Sequence, residues 1–319
     1  MADTVIDIKN LTKQFMKQKA VDDVSFQITE GMICGLIGPN GAGKTTIMKM
    51  LGGLVLPTSG QMALYGSDTE AGLAHARSRM SFIIETPYAK EGMSARENLE
   101  KQRIQKGIPN KNRVDEVLDI VGLSDTGKKQ VKKFSLGMRQ RLGIANALLT
   151  KPEVMVLDEP INGLDPEGIV EIRELLLKLN REEHITIVIS SHILSELSLL
   201  CTDYLFIHQG KLKESIRAEE LKKLCKECYH IHTDNDALAL AVLQERLHVS
   251  DYDVEEDGSV RLYEQLNNVR EVSKTLYEGG VVPLELRFME ANLEQYYMDM
   301  VGEQNVEHNE STKLSGKVR

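Results

Sequence analysis

Residues 38–46 read GPNGAGKTT and match the whole G-x-x-x-x-G-K-[ST] pattern of a phosphate-binding loop. The run before the loop, 32–37, is apolar enough for a buried strand, and the run after it, 45–51, is compatible with a helix. Glycine-rich backbone amides and a helix N-terminus together bind phosphate oxygens, so this strand–loop–helix context supports the motif. The alternative, a glycine-rich turn with a chance lysine, explains neither flank. The segment therefore predicts a nucleotide site in an α/β fold.

The loop combines backbone donors with two side chains that have separate tasks. In this pattern Lys44 reaches the β- and γ-phosphates of ATP, and Thr45 offers its hydroxyl to Mg²⁺. Lys44 is accordingly also a predicted catalytic residue. The loop residues predicted to bind ATP are Gly38, Pro39, Asn40, Gly41, Ala42, Gly43, Lys44, Thr45 and Thr46.

A second apolar run, VMVLDE at 154–159, ends in two carboxylates. At the end of a strand, Asp158 suits the Mg²⁺ shell, and Glu159 suits the polarisation of a water that attacks the γ-phosphate. Taken alone, the two residues could instead be a solvated charge pair.

Three further segments narrow the class of nucleotide enzyme. FSLGMRQR at 134–141 places Ser135 and Gly137 at a predicted helix start. NGLDP at 162–166 forms a predicted turn just after the carboxylate pair. His192 follows a β-branched strand within ISSHILSE at 189–196. A lone histidine in such a place is commonly a satisfied strand-end residue, so only the combination is informative.

In this order the segments resemble the ATP-binding subunit of ABC transporters, over residues 5 to about 215. The resemblance implies a P-loop NTPase fold of the ABC ATPase type, α/β in class, with a helical subdomain. It makes FSLGM the signature loop, NGLDP the D-loop and His192 the switch histidine, so Glu159, His192 and Lys44 are the expected catalytic residues. It also implies that an aromatic ring at Phe15 stacks on adenine, although Phe15 could instead be ordinary core. The nucleotide-binding residues implied beyond the phosphate loop are Phe15, Ser135, Leu136, Gly137 and Asp165.

Two departures from the common family pattern resemble one subfamily, the ATPases of bacitracin export and lantibiotic self-protection. Glu85 stands where most members have glutamine, in the stretch RMSFIIETPYAKEG at 79–92. The signature is FSLGM rather than LSGGQ. Glu85 is thus a candidate metal ligand beside Thr45 and Asp158, with sequence drift as the alternative. The resemblance implies export of a peptide antibiotic or drug, whereas a drug-sensing or regulatory complex is the other possibility.

Composition limits the partners. The chain has 319 residues, 41% hydrophobic and 27% charged, as in ordinary globular proteins. Its net charge of −9 does not favour nonspecific nucleic-acid binding. We find neither an apolar run of about 18 residues nor a signal-peptide pattern. For a chain that resembles a transporter ATPase, this implies a cytoplasmic homodimer, docked at the inner face of the cell membrane on a separately encoded permease.

The remaining chain predicts a second domain. We expect the ATP-binding domain at 1–217, with its helical subdomain at about 88–150 and early antiparallel strands beside a parallel core. An accessory α+β domain at 218–302 has a βαββαβ order compatible with a ferredoxin-like fold. A polar tail at 303–319 is predicted to be disordered.

The stretch CKECYHIH contains Cys225, Cys228, His230 and His232, which suggests zinc. The four positions are crowded and lack the usual long spacer between ligand pairs, so reduced structural thiols are the favoured interpretation.

The resemblance implies a mechanism in which two subunits enclose two ATP molecules, each between one phosphate loop and the other subunit's signature loop. Ribosome-acting relatives carry two cassettes in one chain, whereas this chain has one. Chromosome-maintenance ATPases have a long heptad insertion, which is missing here. A small-molecule P-loop kinase would not need the signature loop, the D-loop and His192.

Overall fold

A computed structural model describes residues 3–85, 89–224, 227–255, 257–265 and 268–289, together with 293, 296–298 and 300. The chain divides into two compact units, Met1–Ala218 and Glu219–Arg319. The first unit contains β1 (Thr4–Phe15), β2 (Gln18–Thr29), β3 (Ile33–Ile37), α1 (Lys44–Leu51), β4 (Ser59–Leu64), α2 (Glu70–Ser78), β5 (Met80–Ile83), α3 (Ala95–Gln105), α4 (Arg113–Ile120), α5 (Leu136–Leu148), β6 (Val154–Asp158), α6 (Pro166–Glu183), β7 (Thr186–Ser191), α7 (Leu194–Ser198), β8 (Asp203–His208) and β9 (Lys211–Arg217). A helix at the division, α8, covers Ala218–Leu224.

A six-stranded sheet of order β5-β6-β7-β3-β8-β9 forms the centre of the first unit. Its strands run parallel except for β9, which is antiparallel to β8. Every residue of β3, β6 and β7 is buried, which explains why their sequences are mostly apolar. Because β6, β7 and β3 are neighbours, the phosphate loop, the carboxylate pair and His192 all follow adjacent strands at the same edge, where α/β proteins bind ligands. This confirms the predicted α/β fold class.

A smaller antiparallel sheet of order β2-β1-β4 lies in the same unit. It corresponds to the predicted early strands, but β1 and β2 are longer than the apolar runs suggested. The β1–β2 ladder continues through polar residues to the Phe15–Gln18 pair. Backbone pairing therefore carries these strands beyond their apolar cores and places Phe15 at the end of a hairpin.

The predicted helical stretch forms α3, α4 and α5. A capping box begins α3, because the Ser94 side chain accepts from the Glu97 amide and the Glu97 carboxylate accepts from the Ser94 amide. Ser135 caps α5, as expected from its position.

The second unit has a βαββαβ order with its own core. Its elements are β10 (Cys228–Thr233), α9 (Asp236–Leu247), β11 (Tyr252–Val254), β12 (Val260–Leu262), α10 (Val269–Glu278) and β13 (Pro283–Met289). They form an antiparallel sheet of order β11-β12-β10-β13. Ile231, Leu243, Val272 and Leu276 are fully buried in its core. The predicted tail at 303–319 lies outside the described residues.

Candidate active site

Close backbone packing shapes the phosphate loop. Gly43 precedes α1 with φ +112°, and a Cβ there would lie 2.5 Å from the Ala20 carbonyl oxygen. A Cβ at Gly38 would lie 2.1 Å from the Ile207 carbonyl oxygen. Only glycine satisfies both positions, so the loop is held against β2 and β8 in a shape that leaves its amides available.

The loop opens into a cavity of about 330 Å³. Phe15 and Glu159 border this cavity together with the loop, so three of the predicted site segments meet in one chain. Its lining residues are Phe15, Gln18, Ala20, Pro39, Asn40, Gly41, Ala42, Gly43, Lys44, Thr45, Thr46 and Glu159. The Phe15 side chain is 48% exposed, and this accessible ring beside a phosphate loop suits stacking on a base.

Lys44 is buried, with 5% of its side chain exposed. Its Nζ donates to the carbonyl oxygens of Gly38 at 2.6 Å and Pro39 at 3.3 Å. It also lies 3.7 Å from Glu159 Oε1. The ammonium is therefore held inside the loop, where it can neutralise phosphate oxygens.

Glu159 has an unusual backbone conformation. Its φ is +50°, in the left-handed region that non-glycine residues adopt at a cost of about 1–3 kcal/mol. The Glu159 amide donates to the Ser190 carbonyl oxygen at 3.2 Å and to Ser190 Oγ at 2.9 Å, and these bonds stabilise the conformation. His192 Nδ1 lies 2.8 Å from Glu159 Oε2. The carboxylate thus has a fixed position between His192 and Lys44.

Ser190 is a site residue that the sequence interpretation missed. It is fully buried, and its hydroxyl donates to Asp158 Oδ1 at 2.6 Å. Asp158 and Ser190 are register partners on the parallel strands β6 and β7. The available signal was the position of Ser190 at the end of a strand, two residues before His192.

Thr45 and Asp158 supply the oxygen donors that Mg²⁺ prefers. Thr45 borders the cavity, and Asp158 is buried with one oxygen committed to Ser190. This donor set fits a magnesium ion that arrives with ATP. Among the described residues no group of three His, Cys, Asp or Glu side chains is arranged to hold a metal by itself.

The structure places Glu85 apart from the residues that line the nucleotide cavity. Its carboxylate contacts Lys49 Nζ, on α1, at 2.7 Å, and 69% of its side chain is exposed. The hydrogen bond from Lys49 lowers the pKa of Glu85. Glu85 is thus a charged partner of the helix that follows the phosphate loop.

The two remaining predicted loops are neighbours. Ser135 Oγ accepts from the Met138 amide at 3.2 Å, and Asp165 Oδ1 accepts from the Gly168 amide at 3.2 Å, so each residue caps a helix. A Cβ at Gly137 would lie 3.9 Å from Gly168 Cα. Neither Ser135, Leu136, Gly137 nor Asp165 borders the nucleotide cavity of its own chain.

The suggested zinc ligands have other partners where they are described. His230 Nε2 lies 3.0 Å from Ser259 Oγ, and His232 Nδ1 lies 3.0 Å from Asp236 Oδ2. Cys228 is buried, and Cys225 lies outside the described residues.

Comparison with known proteins identifies the family. The sequence pattern described as ABC transporter matches residues 21–162. The bacitracin transport ATP-binding protein BcrA of Bacillus licheniformis is 42% identical over 299 residues, which cover 94% of this chain and 98% of that protein. This chain belongs to the ABC transporter ATP-binding proteins. The lantibiotic transport ATP-binding protein SrtF of Streptococcus pyogenes is 41% identical and covers 69% of this chain.

Solved ABC cassettes share the fold of the first unit. An ATP-binding subunit of an ABC transporter aligns with a TM-score of 0.60 and 28% identity, over 69% of this chain and 92% of that one. A dimeric cassette in a post-hydrolysis state, bound to ADP and Pi, aligns with a TM-score of 0.59 and 25% identity, over 67% of this chain and 98% of that one. The predicted ABC ATPase fold and ATPase activity are confirmed, and the chain is an ATP-binding subunit of this family.

Among the residues that the structure describes, no helix is both long and apolar enough to cross a bilayer.

Proposed function

We propose that this ABC ATPase energises a separately encoded permease that exports a peptide antibiotic of the bacitracin or lantibiotic kind. One observation carries the proposal: the 42% identity to a bacitracin transport ATPase extends over 98% of that protein. The similarity therefore includes the second unit, which a generic cassette lacks. Glu85 and the FSLGM signature support the same subfamily.

In the proposed site the phosphate loop and Lys44 bind the ATP phosphates while Phe15 stacks on adenine. Thr45 and Asp158 would hold Mg²⁺, which screens the phosphate charge. We propose that Glu85 contacts a water bound to Mg²⁺ only when its ion pair with Lys49 is broken. The remaining predicted nucleotide contacts, Ser135, Leu136, Gly137 and Asp165, would serve the ATP of a second subunit.

The two oxygens of Glu159 have different partners, which suggests how hydrolysis begins. His192 contacts Oε2, whereas Lys44 lies near Oε1. Because Lys44 is drawn toward the γ-phosphate when ATP binds, Oε1 becomes available to accept a proton from the attacking water. His192 continues to hold Oε2 and keeps the carboxylate oriented. Glu159 is the general base in this proposal, and His192 is the residue that orients it.

Two copies would enclose two ATP molecules, so the proposed partner is a second copy of this chain. Signature-loop amides at the start of α5 offer an anion site that a single copy leaves unused. ATP then favours the closed dimer, and hydrolysis removes that link. We place the dimer in the cytoplasm, at the inner face of the membrane, because its closing and opening must be transmitted to the permease. We propose no nucleic-acid partner.

Two variants test this proposal. Lys44→Ala should weaken ATP binding and abolish hydrolysis, since it removes the cation inside the loop. Glu159→Gln should lose about 10²–10⁴-fold in turnover while it still binds ATP and associates more strongly when ATP is added. The measurements are ATPase rate, ATP affinity, and sedimentation velocity with and without ATP.

Cells that express the permease supply the second readout. Resistance to bacitracin or a lantibiotic should fall with both variants. Near-normal turnover of Lys44→Ala would contradict the site assignment. Full resistance with a hydrolysis-dead Glu159→Gln would instead favour a sensing or regulatory complex.

A further inference from the structure

The outer edge of β13 in the second unit has a self-complementary sequence. In the described part of the chain β13 is an end strand of its sheet and pairs with β10 on one side. Leu284 and Phe288 are exposed by 64% and 41%. An exposed edge strand with apolar side chains is a template for pairing with another strand.

Charged and apolar positions alternate along this edge. Leu286 packs on the core that α9 and α10 cover, and Phe288 meets the Tyr229 ring at 5.4 Å. Glu285 and Arg287 are exposed, and Arg287 Nε lies 3.5 Å from Glu285 Oε1. The strand thus has a negative side chain just before Leu286 and a positive side chain just after it.

That charge order selects one register for two copies of β13. If two strands pair antiparallel with Leu286 opposite Leu286, Glu285 of each copy lies opposite Arg287 of the other. The same register sets Leu284 opposite Phe288. Opposite charges at facing positions stabilise a sheet, and the facing apolar side chains remove each other's surface from water.

Neighbouring registers that keep side chains on the same face are unfavourable. A register centred on Glu285 sets the two Glu285 carboxylates against each other. One centred on Arg287 does the same to the two guanidinium groups. Like charges directly opposite one another destabilise strand pairing. The ladder with β10 has an irregularity between His232 and Thr233, at Leu284, and the selected register keeps its charged pairs on the regular part of the strand.

We propose that two copies of this chain associate through their β13 edges, centred on Leu286, into one continuous eight-stranded sheet. This contact requires no nucleotide and therefore goes beyond the ATP-driven dimer proposed above. It would keep two ATPase units close together after hydrolysis, which raises their effective concentration for the next closure.

A charge swap on the full chain tests the contact. Sedimentation velocity without nucleotide should show a concentration-dependent dimer. Arg287→Glu should weaken it by about tenfold or more, because two attractive pairs become two repulsive ones. The double variant Glu285→Arg with Arg287→Glu should restore the dimer.

Arg246→Glu is the matched control. Arg246 lies on α9 in the same unit, 3.9 Å from Glu278, and the substitution makes the same change in charge. It should leave the dimer intact. Thermal unfolding by circular dichroism shows whether either variant is misfolded. A chain that stays monomeric without nucleotide, or a dimer that ignores Arg287→Glu, would overturn the proposal.

Cysteine pairs test the register. With Cys225 replaced by serine, a size-tagged Leu284→Cys chain mixed with a Phe288→Cys chain should form a mixed disulfide under mild oxidation. Two Leu284→Cys chains should not, because these positions are offset by about 13 Å along the strands and a disulfide cannot span that distance. Failure of the mixed disulfide would exclude this register.

The design separates this contact from the proposed ATP-driven dimer. Glu159→Gln combined with Arg287→Glu should be monomeric without ATP and dimeric with it. If ATP has no effect there while the nucleotide-free wild-type dimer persists, the ATP-sandwich mechanism fails and the β13 contact stands.

Discussion

Ser190→Ala should impair ATP hydrolysis although Ser190 does not border the nucleotide cavity. The substitution removes the hydroxyl that donates to Asp158 Oδ1 at 2.6 Å and accepts from the Glu159 amide at 2.9 Å. It therefore acts at once on the proposed Mg²⁺ ligand and on the proposed general base. Ser190 is a positioning residue in this interpretation.

The magnitude follows from the bond that is lost. A hydrogen bond to a charged group contributes about 1.5–3 kcal/mol. If that energy is needed to hold Asp158 and Glu159 in their reacting positions, turnover should fall by about 10- to 100-fold. Stability should fall by about 1–3 kcal/mol, because Asp158 is buried and keeps an oxygen without its donor.

Ser191→Ala is the matched control. Ser191 is equally buried and adjacent in sequence, but its hydroxyl accepts from the Ile193 amide at 3.0 Å rather than contacting a carboxylate. The assay is ATPase rate against Mg²⁺ concentration, together with urea unfolding.

Ser190→Ala should lower the rate and raise the Mg²⁺ concentration needed for half-maximal activity, and Ser190→Thr should restore both. A merely structural role would lower stability without moving the Mg²⁺ dependence. If Ser190→Ala and Ser191→Ala show the same kinetics, Ser190 does not position Asp158 and Glu159 for catalysis.

Two further predictions concern Glu85 and the buried thiols. Glu85→Gln should leave ATP affinity nearly unchanged yet reduce antibiotic protection in cells with the permease, and Glu85→Ala should keep basal ATPase activity while protection is lost. The double variant Glu85→Lys with Lys49→Glu tests whether the ion pair is needed for antibiotic protection. If all three variants protect cells as well as the wild type does, Glu85 has no functional role and reflects sequence drift. Burial raises the pKa of Cys34 and Cys201 above the ordinary value of 9.0, so both should resist a thiol reagent at pH 8 until the chain is denatured. Their contribution to stability should decline as pH rises above about 9, where only the unfolded thiols ionise; fast labelling of the native protein would contradict this.

The parts of the site that the sequence predicted are those with short, local causes. The phosphate loop needs glycines at Gly38 and Gly43 because the backbone approaches there leave no room for a Cβ. Ser135 was predicted at a helix start because capping of the following helix is a local rule. In each case a few consecutive residues contain the whole physical reason.

What the sequence did not predict depends on pairing between distant segments. Ser190 reaches Asp158 across 32 positions because β6 and β7 are neighbours in one register. Serine at a strand end is common, so the residue type alone gave no signal. Lys49 was missed as the partner of Glu85 for the same reason, since 36 residues separate them. The lengths of β1 and β2 were underestimated because backbone pairing extends both strands through polar residues.

The capping roles of Ser135 and Asp165 within one chain do not explain every feature of the signature loop and the D-loop. Both side chains are satisfied as helix caps, and neither borders the cavity that contains Lys44. Helix capping, however, does not require a glycine at position 137, and it does not require this residue to lie close to Gly168. A glycine beside a capped helix start leaves backbone amides accessible, and the close D-loop ties them to the helix that follows the carboxylate pair. A movement of this pair of loops by an ATP phosphate of a second copy would therefore be transmitted along the chain toward Glu159. This connection gives the proposed dimer a physical reason: the signature loop, which a single copy leaves unused, lies against the chain segment that follows the general base.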